Sequence, residues 1–489
     1  MHSQMGSFNI MTIGHFRGMY PAGVGIVFLF LGLLCARGDE LLELLQEAEA
    51  NSPTLAAARQ RIEQALQRHE ELLEFFDTTL YAAAGKGENS RDLPLSSDYS
   101  VMSADNYAVE AGLSRAIAPG AYFNIGVRSE LLDDEPGYNE LYQNLFGLRI
   151  RVPLLQDRGF SILGHQRSAA MAEYNQAVSD LLALSQDLRY NVESGYITAY
   201  ESLSAYNVTQ GASKRFAALV EDAHELTRLK AIPDYQVHSA ERELQIGLED
   251  EEKARNRYAL SLVNLSNLLG SNREINLRAT AEIIVEMGRK QASLNVVALE
   301  KAMQYRGIVL YIQNRLQAAR AEYARIEEEM KDDLSLHVGV SVRGENTDTP
   351  FEMHRELSDE YLGGEITLTW TRPLDYQGSK SRLARWTAVI NELKADLQQA
   401  QLTVATELKN AELNYISAQR RIEIISKGMQ AARETVSSEQ ERFRLGEGSS
   451  TDVLDAQKNL TVILQRLTVA SADLLRAKAQ YRYASGFCE

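Results

Sequence analysis

The stretch ERFRLGEGSSTDVLDAQ, from Glu441 to Gln457, concentrates the residue types that chemistry most often uses. Two glycines, two serines, a threonine and flanking charges match the make-up of a loop that cradles phosphate. Such a loop needs a lysine directly after its last glycine, so that an ammonium reaches the phosphates. Here Glu447 and Ser449 follow the glycines, and no strand-like run precedes Arg442. A carboxylate beside a phosphate would repel it. The competing reading is a tight bend between two helices. Gly446 then ends the first helix in a left-handed conformation, and Ser449, Ser450 or Thr451 caps the second. Asp452 and Asp455 are three apart, so on that helix both carboxylates point the same way. They either cap the helix N-terminus, where acids are favoured, or form an acidic patch that attracts cations.

The rest of the chain holds no catalytic or metal constellation. His69, His165, His224, His238, His337 and His354 are scattered without HExxH spacing, and Cys35 and Cys488 form no CxxC. Acidic runs such as Glu249 to Glu252 and Glu327 to Glu329 read as solvated helix faces, and the mature chain has no methionine cluster that would handle a soft metal. We therefore expect no enzyme, no cofactor and no metal site. A formal net charge of -16 argues against nucleic acid as a partner, because phosphate contacts need clustered Lys and Arg.

The elements that must position the 441–457 stretch are long. Nine prolines favour uninterrupted helices. Helical patterns cover 39–74 (interrupted near Asn51-Ser52-Pro53), 164–230, 234–269, 293–330, 380–445 and 451–484. In the last, Leu460, Leu464, Leu467, Ser471 and Leu474 step by four and three, a heptad seam. The longest patterns reach ~100 Å, which no compact core requires, so they must pack as a coiled-coil array. Between helices lie segments of strict alternation. LSLHVGVSVRG sets Leu334, Leu336, Val338, Val340 and Val342 against Ser335, His337, Gly339, Ser341 and Arg343. LGGEITLTWTR and LRIRV alternate likewise, and YAVEAGLSR with AYFNIGVRS reads as a hairpin about Pro119-Gly120 with Phe123 and Ile125 on the apolar face and Tyr122 and Asn124 on the polar one. Alternation of this length fits a sheet with one wet face or a transmembrane β-barrel; attached to such helices in an exported chain, the barrel is the better reading.

The chain also repeats itself. RVPLLQ at Arg151 is echoed by TRPLDY at Thr371, and ESGYITA at Glu193 by ELNYISA at Glu412, both at an offset of about 220 residues. We assign repeats to 39–270 (strands within 78–152) and 293–489 (strands 334–343 and 362–371), with 271–292 as a linker. Residues 1–38 carry no Asp or Glu, and the apolar run GVGIVFLFLGLLC is shorter than the ~20 residues a spanning helix needs, which reads as a signal peptide cleaved before Asp39. Lipidation at Cys35 is the rival, disfavoured by the large Leu33-Leu34, and Met11 is a second candidate start.

On these features the chain resembles the TolC family of bacterial outer-membrane efflux proteins over essentially all of its mature sequence. NSPTL near the mature N-terminus, the strand-Pro-Leu junctions, the tandem halves and RFRLGEGSSTDVLDAQ carry the resemblance. It implies a mixed, mainly α fold: a trimeric outer-membrane β-barrel continuing into a long periplasmic helical coiled-coil barrel. It further implies a passive exit duct of a tripartite efflux or type I secretion system, whose partners are outer-membrane lipid, a periplasmic adaptor and an inner-membrane pump. Arg442, Leu445 and Gly446 of one tip, with Leu229 and Pro233 of the other, would meet the adaptor. Asp452 and Asp455 align with the family's entrance aspartates, Asp234 with a latch partner, and Phe443 with a tyrosine whose hydroxyl it lacks. Two departures stand out. The tip TRLKAIPDYQ lacks the family glycine and reads about four residues shorter than its counterpart by alignment. The hairpin from Tyr107 to Ser129 is an addition to the four strands per chain the family supplies. The alternative is a secreted coiled-coil scaffold of the cell envelope, which leaves the matched strands unexplained; a cell-wall enzyme would need a carboxylate pair or nucleophile that does not appear.

Overall fold

The computed structural model describes residues 39–88, 105–117, 120–133, 140–271, 273–277, 299–346 and 362–486. The leader with Cys35, Pro119, most of the 271–292 linker, His354 and Cys488 lie outside the described residues. Helix α1 runs Asp39–Asn51 and α2 Pro53–Glu71, with Ser52 between them as N-cap of α2, its side chain accepting from the Leu55 N–H. Strands β1 (Thr79–Glu88), β2 (Asp105–Ile117), β3 (Ala121–Asp133) and β4 (Glu140–Pro153) precede α3 (Ser161–Arg228) and α4 (Tyr235–Leu268). The second half supplies α5 (Leu299–Tyr305), α6 (Gly307–Glu329), β5 (Asp333–Asn346), β6 (Leu362–Thr371), α7 (Gln377–Arg444) and α8 (Ser450–Ser485). α3 and α7 are 68 residues each, hence ~100 Å long.

The expected 293–330 helix is broken at Arg306, whose ψ of 113° is extended. The break has a packing cause: a Cβ on Gly307 would sit 2.4 Å from the Ala183 backbone nitrogen, so two helices cross there at backbone contact. Arg306 is 4 % exposed, donates to Glu407 at 3.1 Å and stacks 3.6 Å from the Tyr483 ring. Gln186 donates to the Tyr305 carbonyl and accepts from the Gly307 N–H, so one polar cluster joins α3, α5, α6, α7 and the end of α8.

The six strands form one antiparallel sheet in the order β1-β2-β3-β4-β5-β6. The 107–129 hairpin is therefore part of the sheet, seated between β1 and β4. Register separates the faces. One row reads Leu80, Leu113, Ile125, Leu148 and Val340; the row beside it on the opposite face reads Tyr81, Gly112, Gly126, Gly147 and Ser341. Apolar side chains on the first face stay open to the surroundings: Leu80 is 76 % and Ile366 79 % exposed. Strands of 10 to 14 residues with this alternation have the length and pattern of membrane-spanning β-strands. Among the described residues no helix is long and apolar enough to cross a membrane.

Side by side, the helices make a layer. Near the sheet the neighbours run α2, α3, α6, α7; away from it they run α4, α3, α8, α7. The heptad seam of α8 is largely buried: Leu460, Leu467, Ser471 and Leu474 are under one tenth exposed, while Leu464 is half-buried. The layer thus ends on α7 on one side and on α2 and α4 on the other, just as the sheet ends on β6 and β1.

Candidate functional site

The bends at the far end of the two helical hairpins are built alike. After α7, Leu445 is the C-cap, Gly446 takes φ 78°, and the Glu447 and Gly446 N–H groups donate to the Arg442 and Phe443 carbonyls. After α3, Leu229 is the C-cap, Lys230 takes φ 59°, and the Ala231 and Lys230 N–H groups donate to the Leu226 and Thr227 carbonyls. Both are Schellman motifs, which close a helix by satisfying its last carbonyls. The first tip therefore keeps the geometry without the glycine, at the cost of a left-handed lysine. Nor is it shorter, as the alignment had it: the connectors are 229–234 and 445–449. The motif, not the composition, sets the length.

Beneath the bends lies a small core. Phe216 and Leu219 of α3, Ile232, Val237 of α4, Phe443 of α7 and Val453 of α8 are all buried together. Phe443 is 1 % exposed, so its ring points into this core and away from the surface that a latch with Asp234 would need. Polar ties cross the same region. The Ser450 N–H donates to Gln236 Oε1 at 3.1 Å and its hydroxyl to the Gln236 carbonyl at 3.3 Å, joining the starts of α4 and α8. Arg444 meets Asp222 at 3.3 Å, and Lys458 meets the buried Glu243 at 2.8 Å. Two turns up, Arg215 donates to Thr461 at 2.9 Å; burial pushes its guanidinium below the ordinary arginine value. None of these cross-links has a signature in the sequence, since each joins residues more than 200 positions apart.

The two aspartates separate. Asp452 forms a capping box: its N–H donates to Ser449 Oγ at 3.2 Å, and its carboxylate accepts from the Ser449 N–H at 3.3 Å. Asp455 makes no hydrogen bond or ion pair among the described residues, and neither does the carboxylate of Asp234. Asp452 and Asp455 begin an exposed stripe on α8 that continues through Asn459, Val462, Arg466 and Val469. Leu229, Pro233, Arg442, Leu445 and Gly446 are exposed at the tips; Leu229 and Leu445 are 66 % and 69 % exposed. Arg442 is held by Glu439 of its own helix at 3.1 Å. No group of three or more His, Cys, Asp or Glu suited to a metal occurs among the described residues.

Neither a protein-family model nor a curated protein sequence matches the chain. Solved structures do. The outer membrane protein VceC from Vibrio cholerae superposes with a TM-score of 0.66 at 16% identity, covering 92% of this chain and 96% of VceC. CusC, whose structures concern folding and transmembrane channel formation, gives 0.66 at 14% identity over 91% of this chain and 92% of its own. The MtrE outer membrane channel of Neisseria gonorrhoeae gives 0.63 at 16% over 91% and 88%. The chain has the fold of these outer-membrane channels. In this chain the six-stranded sheet and the paired bends both leave apolar side chains uncovered, among them Leu80 and Ile366 in the sheet and Leu229 and Leu445 at the bends.

Proposed function

We propose that the protein is the outer-membrane exit duct of a tripartite export system, a passive conduit rather than an enzyme. The observation that carries this reading is the sheet. Its apolar face leaves side chains such as Leu80, Val109, Ile366 and Leu368 exposed, the face opposite carries Glu110, Asn124 and Arg149, and both edges, β1 and β6, lack partners among the described strands. An open edge is untenable in hydrocarbon, where every backbone group must be paired, so copies of the chain must close the sheet into a barrel. The helical layer, ending on α7 and on α2 and α4, closes beneath it in the same way. The resemblance to the TolC family supports reading the assembly as a trimer, with a periplasmic adaptor and inner-membrane pump proposed to dock at the tips, around Leu229, Pro233, Arg442, Leu445 and Gly446. The protein is expected to fractionate with outer membranes and to run as an oligomer that dissociates on heating. Recovery as a soluble monomer without detergent would overturn the proposal.

In the closed assembly the exposed stripe of α8 faces the axis, bringing two carboxylates per copy to the periplasmic entrance. Such a ring attracts cations and is plugged by multivalent ones. The two acids carry different duties. Asp455→Asn is expected to lower cation selectivity and trivalent block while leaving thermal stability unchanged, because nothing in the protomer depends on it. Asp452→Ala is expected to lower selectivity and also stability, because it removes the carboxylate half of the capping box while the Ser449 cap itself remains. Single-channel reversal potentials in a salt gradient, beside thermal unfolding of each variant, check the split; unchanged selectivity in Asp455→Asn would remove the stripe from the entrance.

A further inference from the structure

The hairpin β2–β3 is tied to its surroundings on the polar face and at its base. On the polar face Tyr81 lies flat across the glycine row: a Cβ at Gly112 or Gly126 would come within 2.6 and 2.8 Å of its hydroxyl. That hydroxyl lies 3.2 Å from Glu110 Oε1 of β2 and 3.1 Å from Asn124 Oδ1 of β3, its single proton shared between the two, so one side chain ties β1 to both added strands. At the base, Phe160 packs edge-on against Phe75 and Tyr122 with ring centroids 5.0 and 5.3 Å away, tying the start of β3 to the start of α3. Gly120 and Gly159 meet backbone to backbone, with no room for a Cβ between them. Arg115 donates to the Phe76 carbonyl at 3.1 Å at the same rim. A loop excursion would have none of these ties.

The width of the protomer then has a consequence. Strands about 4.8 Å apart, tilted 35–45° in a barrel, each occupy roughly 6–7 Å of circumference, so six occupy about 35–41 Å. Helices packed 8–10 Å apart occupy about 32–40 Å when four stand abreast. On these spacings the six strands and the four helices of one copy come out about equally wide. Four strands without the hairpin would occupy only about 23–27 Å, and the barrel would taper inward from the tunnel. The match holds per copy and so does not depend on the number of copies that close the ring.

We infer that the β2–β3 hairpin widens the outer barrel to the bore of the helical tunnel, so that the strand wall is no narrower than the tunnel it continues. The inference rests on the export-duct reading and names its cargo class: solutes too bulky for a tapered barrel. The glycine row under a flat tyrosine serves the same end, because it keeps the inner wall low where side chains would otherwise fill the lumen.

Two measurements test this. Neutral polymers of graded size, added to the barrel side of the channel in a planar bilayer, report the widest polymer that enters. Removal of residues 105–133, which joins β1 to β4 through the outer loop and keeps the up-down order, is expected to reduce that cut-off diameter by about a third, as the strand number falls by a third. An unchanged cut-off in an inserted oligomer overturns the inference. Should the shortened chain fail to assemble, the full-length protein decides: single cysteines at Phe123 and Ile125 are expected to react with a membrane-soluble maleimide and one at Asn124 with an aqueous one. Aqueous labelling of all three in an outer-membrane oligomer removes the hairpin from the wall and leaves the duct reading intact. A soluble monomer removes the duct reading itself.

Discussion

Gly446→Pro is expected to abolish export while the oligomer still forms and inserts. The position takes φ 78°, and proline is confined near −65°, so the ring cannot enter the bend. Its N–H also closes the helix by donating to the Phe443 carbonyl at 2.9 Å, and proline has no N–H to give. Space is not the reason for glycine here, since nothing lies within 4 Å of a Cβ. The same substitution elsewhere on the surface of α7 would break a helix, whereas here the bend alone re-forms. The damage, about 3 kcal/mol or more, is thus confined to the tip. Gly446→Ala separates the two causes, because it keeps the N–H and suffers only the left-handed strain of about 1–2 kcal/mol. Export of a marker substrate and heat-dissociable oligomer are measured side by side; export that survives the proline places adaptor docking away from this tip.

Phe443→Ala is expected to have the largest effect on stability at that end. The ring is among the largest fully buried side chains and touches elements from both halves of the chain. Truncation to alanine in such a site costs about 3–5 kcal/mol, part of it from the cavity left behind. Because α3 and α7 are anchored far away at Arg306 and Gln186, the loss is expected as local opening of the tip, read by hydrogen exchange in 216–240 and 443–457. Phe443→Tyr sharpens the point. A latch residue on the entrance surface would accept the hydroxyl at no cost. A hydroxyl buried in an apolar core without a partner costs about 1–3 kcal/mol. Unchanged exchange in both variants would mean that the ring does not hold the tips together.

Much of this was legible in the chain itself. Period determined element type: steps of three and four wrote the seam of α8, and alternation wrote the sheet, because a strand repeats every two residues and a helix every 3.6. Local chemistry determined the second tip, where a glycine and a Ser-x-x-Asp pair supply a helix stop and a capping box within a few residues. The first tip shows the limit of the same reasoning. Lys230 is no helix-stop signal, yet it adopts the left-handed turn beside a core in which Ile232 and Val237 are buried with Phe216 and Phe443, residues distant in sequence. The break at Arg306 was hidden for a similar reason: α5 and α6 share one apolar period, and only the close passage of Ala183 past Gly307 interrupts it. Which aspartate caps and which faces outward was equally out of reach, since i,i+3 spacing puts both on one face and only the Ser449 hydrogen bonds distinguish them. Tertiary structure alone decided that the added hairpin belongs in the sheet, between β1 and β4. Alternation can mark a strand's two faces, but which strand stands beside it depends on partners distant in sequence, and here on a tyrosine from β1 that lies across glycines of β2 and β3.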